Sequence, residues 1–160
     1  MESGIIAVHS EDTTIKQMLE SIQQQFNVKV REKNITLSLC DTDLHVLCDS
    51  KWTVEALGNI VDNAIKYTAC GGNVQIKVEQ YSFFVKIDII DDGIGIEKEE
   101  IPKIFGRFYR SLSVADQPGV GIGLFLAREI IQAQKGYIKV TSETGQGSTF
   151  SVFLPVSKTE

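Results

Sequence analysis

Residues 51–68 constrain the fold most, because they combine an apolar side and a polar side at helical spacing. At about 100° per residue, six apolar side chains gather on one side of a helix; they are Val54, Leu57, Ile60, Val61, Ala64 and Ile65. The other side carries Glu55, Asn59, Asp62, Asn63, Lys66 and Tyr67. Asparagine is a mediocre helix former, so two asparagines one turn apart favour a functional face over a merely solvated one.

The rest of the chain mixes predicted strands and helices. Residues 5–8 predict an opening strand, and Asp12 or Thr13 is a candidate cap for the first helix. The apolar face of that helix comprises Ile15, Met18, Leu19, Ile22 and Phe26. Alternating apolar residues predict strands at residues 35–39, 45–48, 74–78, 85–89, 138–140 and 150–154. Ser50 is the expected cap of the 51–68 helix, and Gly121 or Gly123 is expected to open another helix.

These elements show no regular βαβ alternation, which predicts an α+β fold built as a two-layer sandwich. A chain of 160 residues provides one adequate core and leaves little room for a second. We therefore expect a single domain over residues 1–160.

Composition excludes several functional classes. A net charge of −5 and a pI near 5.1 argue against a nucleic-acid binder, since such proteins usually carry a basic face. No apolar run approaches a membrane span and the first residues lack a signal-peptide pattern, so we expect no direct membrane contact by this domain. Cys40, Cys48 and Cys70 lack metal-site spacing and are expected to be reduced thiols of a cytoplasmic domain.

Four short segments carry chemistry suited to a nucleotide: residues 59–67, 91–95, 119–124 and 145–150. An ionised Asp91 only accepts hydrogen bonds and so suits the exocyclic amine of adenine, although an ordinary turn gives the same local sequence. The 119–124 segment precedes a predicted helix, where free N–H groups favour phosphate. Its glycine spacing fits neither the Rossmann fingerprint nor the P-loop.

In this order the four segments resemble the N, G1, G2 and G3 boxes of the ATP-binding domain of sensor histidine kinases. The wider group that shares this pocket includes gyrase, Hsp90 and MutL. The resemblance runs from about Ile5 to Pro155. It implies a mixed β-sheet covered on one face by helices, known as the Bergerat ATP-binding fold.

Residues 104–110 resemble the F box of the same kinases, with Gly106 where an acidic residue is commoner. In the family this box begins an ATP lid, which would span about residues 97–120 here. Phe105 and Phe108 would then dock the lid or meet the helical domain. We expect residues 107–119 to be mobile without nucleotide.

The resemblance also implies the ligands, ATP and Mg²⁺, and the residues that hold them. Asn63 would be the protein ligand of the metal, Asn59 would help to hold the ion or the phosphates, and Lys66 would face a terminal phosphate. These three are the candidate catalytic residues, whereas Tyr67 would either stack beside the base or pack. The candidate ATP-binding residues are Asn59, Asn63, Lys66, Tyr67, Asp91, Gly93, Gly95, Ile96, Arg107, Arg110, Gly119, Val120, Gly121, Ile122, Gly123, Leu124 and Thr149.

Asn59 bears on the type of reaction. Related ATP hydrolases place a glutamate one turn before the metal-binding asparagine, where it activates water. An amide does not usefully take up a proton at neutral pH, which favours phosphoryl transfer over hydrolysis. Neither His9 nor His45 is followed by the acidic residue and proline of the family's phosphoacceptor motif, so the acceptor is expected outside this chain.

We therefore expect the catalytic domain of a sensor histidine kinase, which transfers the γ-phosphate of Mg-ATP to a histidine on its own dimerisation domain. That domain is absent from this chain and would join residues 1–10, and a response-regulator aspartate would receive the phosphoryl group next. The family's habit implies a cytoplasmic domain of a membrane-anchored sensor. The alternatives are an anti-sigma-factor serine kinase, an ATP-gated switch of the Hsp90 or MutL kind, and a non-catalytic nucleotide-binding module.

Overall fold

The computed structural model describes residues 6–106 and 122–157. Five strands form a mixed sheet, and two further strands form a separate antiparallel pair. The elements in chain order are β1 (Glu11–Thr14), α1 (Ile15–Glu32), β2 (Thr36–Leu39), β3 (His45–Cys48), α2 (Ser50–Tyr67), β4 (Asn73–Gln80), β5 (Phe84–Asp91), a 3₁₀ turn (Ile101–Lys103), α3 (Gly123–Ala133), β6 (Tyr137–Glu143) and β7 (Gly147–Pro155).

The sheet runs in the order β2-β4-β5-β7-β6, with β2 parallel to β4 and the remaining neighbours antiparallel. Burial alternates along β5, so that Val85, Ile87 and Ile89 lie in the core while the residues between them lie on the more open face. Helix α2 packs against α1, α3 and β5. The predicted two-layer α+β sandwich, with helices on one face of a mixed sheet, is confirmed.

The helices bury the faces that their spacing predicted. Each of the five apolar residues predicted for the inner face of α1 is at most 3% exposed. In α2, Leu57, Ile60, Val61, Ala64 and Ile65 are at most 5% exposed, whereas Asn59 and Asn63 stay half-buried. None of the helices in the described part of the chain has the length and apolarity that a bilayer crossing requires.

Two local predictions about the N-terminal third were wrong. Described residues 6–10 form no strand, and the N–H of His9 donates to the Asp49 carboxylate rather than to a neighbouring strand. Asp12 and Thr13 lie in β1, which pairs with β3, and the hydroxyl of Thr13 donates to backbone carbonyls there. Thr14 is the N-cap residue of α1, without a side-chain capping bond.

The cap of α2 lies one residue before its predicted position. Ser50 is the first helical residue, and the Asp49 carboxylate accepts the backbone N–H of Trp52 at 3.2 Å. The two hairpins, β4–β5 and β6–β7, form as predicted. Of the two glycines proposed to open α3, Gly123 begins the helix.

Candidate functional site

The polar face of α2 meets the beginning of α3. A Cβ atom added to Gly123 would lie 3.6 Å from Asn59 side-chain atoms, so these two residues are in direct apposition. The Nδ2 atom of Asn59 is buried and has no acceptor among the described residues. An unpaired buried donor costs about 1–3 kcal/mol, which a ligand oxygen at this position would offset. The positive end of the α3 dipole lies at the same place.

Lys66 shares this polar face but has a protein partner. Its Nζ lies 3.6 Å from a carboxylate oxygen of Asp62, and the other oxygen of Asp62 accepts from Lys29 Nζ at 2.6 Å. The Lys66 side chain is 29% exposed. A phosphate contact by Lys66 therefore requires that it leave or share Asp62.

Asp91 is a buried carboxylate at the end of β5. It is 4% exposed, and its Oδ1 accepts the backbone N–H of Gly93 at 2.9 Å. Burial raises the pKa of Asp91 to about 6, while hydrogen bonds from the backbone of Gly93 and Ser148 act in the opposite direction. Its neighbour Asp92 instead accepts the backbone and side-chain N–H groups of Asn73, and these bonds lower the pKa of Asp92.

Glycines around Asp91 allow main-chain segments to approach closely. A Cβ atom on Gly93 would lie 2.1 Å from the carbonyl oxygen of Tyr67, and one on Gly147 would lie 2.0 Å from the carbonyl oxygen of Asp91. Gly147 also has φ +107, a conformation that favours glycine. These contacts bring the end of α2 and the start of β7 to the same loop.

Ser142, on β6, supports this loop, and no sequence pattern singled it out. Its Oγ accepts the backbone N–H of Ile96 at 2.7 Å and lies 2.8 Å from Ser148 Oγ. Gly95, with φ +78, approaches the main chain of Glu143 so closely that a Cβ atom there would lie 2.4 Å from its carbonyl oxygen. The β6–β7 hairpin thus positions the loop after β5.

Thr149 was the proposed contact at the adenine end, but the register places Ser148 opposite Asp91. Thr149 pairs with Ile90, and residues along β7 alternate between the two faces. Ser148 is 4% exposed on the same face as Asp91, whereas Thr149 lies on the other face. The structure therefore disfavours a side-chain contact by Thr149 and indicates Ser148 in its place.

Some of the remaining candidate residues are described by the structure, and others lie outside the described residues. Tyr67 and Ile96 are buried, at 7% and 4% exposure, while Ile122 and Leu124 are half-buried at the start of α3. Five candidates lie outside the described residues: Arg107, Arg110, Gly119, Val120 and Gly121. Most of the expected lid and Phe108 lie there too.

Phe105, the first aromatic residue of the F-box-like segment, packs onto the sheet. Its ring meets that of Phe150 edge to face at 6.3 Å, and the guanidinium carbon of Arg128 lies 5.2 Å from the Phe105 centroid. No sequence pattern singled out Arg128, whose Nε is buried without an acceptor among the described residues. Arg128 thus joins α3 to Phe105.

Together these residues fit a nucleotide with a hard metal ion. Asn59 and Asn63 offer neutral amide oxygens, which suit Mg²⁺, and the unpaired N–H of Asn59 suits a phosphate oxygen. Asp91 offers a buried acceptor for an amine. The carbonyl of Tyr67, at the end of α2, accepts the N–H of Ile94 at 3.1 Å and so ties the two parts together.

Curated proteins similar to this chain are sensor kinases. Sensor histidine kinase WalK of Bacillus subtilis is 38% identical over 122 residues, covering 74% of this chain and 20% of that protein. Adaptive-response sensory kinase SasA of Synechococcus elongatus is 36% identical over 155 residues, covering 94% of this chain and 40% of that protein. The chain therefore spans about a fifth to two fifths of the length of these relatives.

Solved structures show the same architecture. Mycobacterial sensor histidine kinase MprB matches with a TM-score of 0.81 at 25% identity, over 94% of this chain and all of the matched chain. Histidine kinase ThkA, in a complex with response regulator protein TrrA, matches with a TM-score of 0.78 at 25% identity, over 94% of this chain and 42% of that one.

The family model described as "Histidine kinase-, DNA gyrase B-, and HSP90-like ATPase" matches residues 48–158, which include α2, the loop after β5, α3 and the β6–β7 hairpin. The chain belongs to this family, as an ATP-binding catalytic domain of the sensor histidine kinase type.

Proposed function

We propose that this domain binds Mg-ATP along the polar face of α2 and transfers the γ-phosphate to a histidine of a dimerisation domain joined upstream of residues 1–10. A response-regulator aspartate then receives the phosphoryl group. The domain is proposed to act on the cytoplasmic side of a membrane-anchored sensor.

One observation carries the proposal: α2 links the two ends of the site. Its last residue, Tyr67, touches the loop of Gly93 beside Asp91, and Asn59 touches Gly123 two turns earlier. Eight residues of helix span about 12 Å. A base at Asp91 and phosphates near Asn59 and Gly123 fit the ends of one extended nucleotide.

Each residue then has a defined task. Asp91 accepts the exocyclic amine of adenine and rejects the carbonyl of guanine. Asn63, with Asn59 beside it, would hold Mg²⁺, which when bound neutralises phosphate charge as it develops. Asn59 Nδ2 donates to a phosphate oxygen, and the start of α3 favours the same negative charge.

The charges near the phosphates favour transfer over hydrolysis. Asn59 occupies the position of the expected base, and an amide cannot accept a proton from water at neutral pH. Asp62, the carboxylate nearest in sequence, is held by Lys29 and Lys66. Catalysis therefore depends on positioning an external nucleophile and stabilising charge.

The relatives support a histidine acceptor over the serine kinase and ATP-switch alternatives, since WalK, MprB and ThkA are all named histidine kinases. The complex of ThkA with a response regulator supports the second acceptor. We propose neither His9 nor His45 as the acceptor, because neither lies in the family's phosphoacceptor motif.

Calorimetric titration with ATP, ADP and GTP, with and without magnesium, tests the binding step. We expect adenine nucleotides to bind and Asp91→Asn to weaken them about 100-fold, because the substituted amide presents a donor to the adenine amine. Asp92→Asn is the matched control, since that carboxylate accepts hydrogen bonds from Asn73. Equal loss in both variants would contradict the role of Asp91.

Transfer to a separately supplied dimerisation domain tests the reaction. Radiolabelled ATP should leave acid-labile phosphate on that domain and none on the isolated chain. Asn63→Asp should abolish transfer, because it replaces the neutral amide proposed to hold the metal with a negative charge. Robust ATP hydrolysis by the chain alone, or stable phosphoserine on a partner, would reject the histidine kinase assignment.

A further inference from the structure

The far end of the α2–α3 pair holds a buried polar contact that the proposed reaction does not use. Gln134, the C-cap residue of α3, is 4% exposed. Its Oε1 accepts the backbone N–H of Asp49 at 2.5 Å, and its Nε2 donates to Thr53 Oγ1 at 3.1 Å. One side chain therefore joins the end of α3 to the N-cap residue and first turn of α2.

The two carboxylate oxygens of Asp49 accept hydrogen bonds from different parts of the chain. Its Oδ1 caps α2 by accepting the N–H of Trp52 at 3.2 Å, while its Oδ2 accepts the N–H of His9 at 2.8 Å. The indole N–H of Trp52 donates to the carbonyl of Ala7 at 3.2 Å. Residues 6–9, here called the entry segment, are thus held on the residues that begin α2.

The two helices touch at both ends of their contact. Gln134 meets Thr53 at one end, and Gly123 meets Asn59 at the other. Thr53 and Asn59 are about 9 Å apart along the helix axis. A buried amide with paired donors and acceptors allows one arrangement of the helices, because slippage leaves polar groups unpaired. We therefore expect a change at the Gln134 end to alter the spacing between Gly123 and Asn59.

We propose that Gln134 and Asp49 are positioning residues for the nucleotide site and that they couple it to the entry segment. The proposal rests on the proposed function, because it couples the entry segment to the binding of nucleotide. A docked entry segment supports the α2–α3 spacing that binds nucleotide. By thermodynamic reciprocity, bound nucleotide must protect the entry segment by the same factor.

The test combines nucleotide affinity with amide hydrogen exchange in the entry segment, residues 6–9. The probe is a non-hydrolysable β,γ-imido analogue of ATP with magnesium, added to the full chain. Asp49→Asn keeps one oxygen to cap α2 and removes the second acceptor for His9, while Gln134→Met keeps the side-chain length and removes the bridge. Asp12→Asn is the matched control, since the carboxylate of Asp12, in β1, is hydrogen-bonded to His45 and Ser157.

In the wild type we expect nucleotide to slow exchange of the entry segment by roughly fivefold or more. Asp49→Asn and Gln134→Met should weaken nucleotide binding by a similar factor and abolish that slowing, whereas Asp12→Asn should change neither. Thermal unfolding identifies any variant that is not folded at the temperature of the titration, and the less disruptive Asp49→Asn then decides.

Three outcomes would overturn the proposal. Variants that melt earlier but keep wild-type affinity and wild-type protection show a purely structural bridge. A wild type that binds nucleotide without protecting the entry segment rejects the coupling and leaves the proposed function intact. A wild type that binds no adenine nucleotide rejects the proposed function, and the coupling with it.

Discussion

The base end and the phosphate end of the site differ in how completely their polar groups are satisfied without a ligand. At the base end, Asp91 accepts the N–H of Gly93, and Ser142 accepts the N–H of Ile96. At the phosphate end, the Nδ2 of Asn59 is buried without an acceptor among the described residues.

If nucleotide binds as proposed, this difference predicts a preformed base pocket and a phosphate region that the ligand completes. The main chain passes closely by Gly93 and Gly147, which leaves the loop little freedom to adapt. We therefore expect the fold itself to determine which base the proposed site accepts. An unpaired donor in the phosphate region raises the energy of the empty site, so part of the binding energy comes from satisfying it.

Gly147→Ala should produce the largest effect, because the base end has no room for a Cβ atom. That atom would meet the carbonyl oxygen of Asp91 at 2.0 Å, and φ is already +107. We expect a loss of about 3 kcal/mol or more in the free energy of unfolding, together with loss of adenine binding. Thermal and denaturant unfolding, followed by calorimetry, measure both.

Gly145→Ala is the matched control for that substitution. Gly145 has φ +83, but no atom lies within 4 Å of an added Cβ. Only the backbone conformation is penalised, at about 1 kcal/mol. Equal losses in the two variants would show that strain rather than crowding limits the base end.

A pH titration should show opposite trends for stability and binding at Asp91. Its folded pKa, about 6, lies above the ordinary value of 3.8, so the folded chain holds a proton that the unfolded chain has lost. The stability contribution of Asp91 therefore decreases as pH rises from about 4 to about 6. Adenine binding needs the ionised form and should weaken about tenfold for each pH unit below about 6.

Calorimetry from pH 5 to pH 8 measures the binding trend. Asp92→Asn should retain the trend, since the pKa of Asp92 is lowered by Asn73 and that carboxylate stays ionised throughout this range. A flat affinity profile in the wild type would show that Asp91 does not read the base in its ionised form.

Local sequence patterns predicted some parts of the fold and site and not others. Periodicity identified the buried faces of α1 and α2, because burial follows spacing directly. The glycines and Asp91 carried a local signal of sharp turns. Ser142, Ser148 and Gln134 carried none, since their roles come from strand register and helix crossing.

Thr149 and the first cap show the same limit. A shift of one residue in a strand moves a side chain to the other face. The resemblance pointed to Thr149, whereas the register places Ser148 on the face of Asp91. Asp12 and Thr13 have good capping chemistry, but pairing of β1 with β3 uses them instead. Tertiary pairing decided between two locally acceptable structures.

Asn59→Leu should produce the smallest change in stability and isolates the phosphate end. Removing a buried donor without an acceptor should raise the free energy of unfolding of the ligand-free domain by up to about 1 kcal/mol. Affinity for ATP should fall about tenfold, and affinity for adenosine should not change, because Asp91 is untouched. Unfolding curves without ligand and paired titrations with ATP and adenosine measure these quantities. If the ligand-free variant is instead destabilised by several kcal/mol, Asn59 is satisfied in solution and the phosphate end is as preformed as the base end.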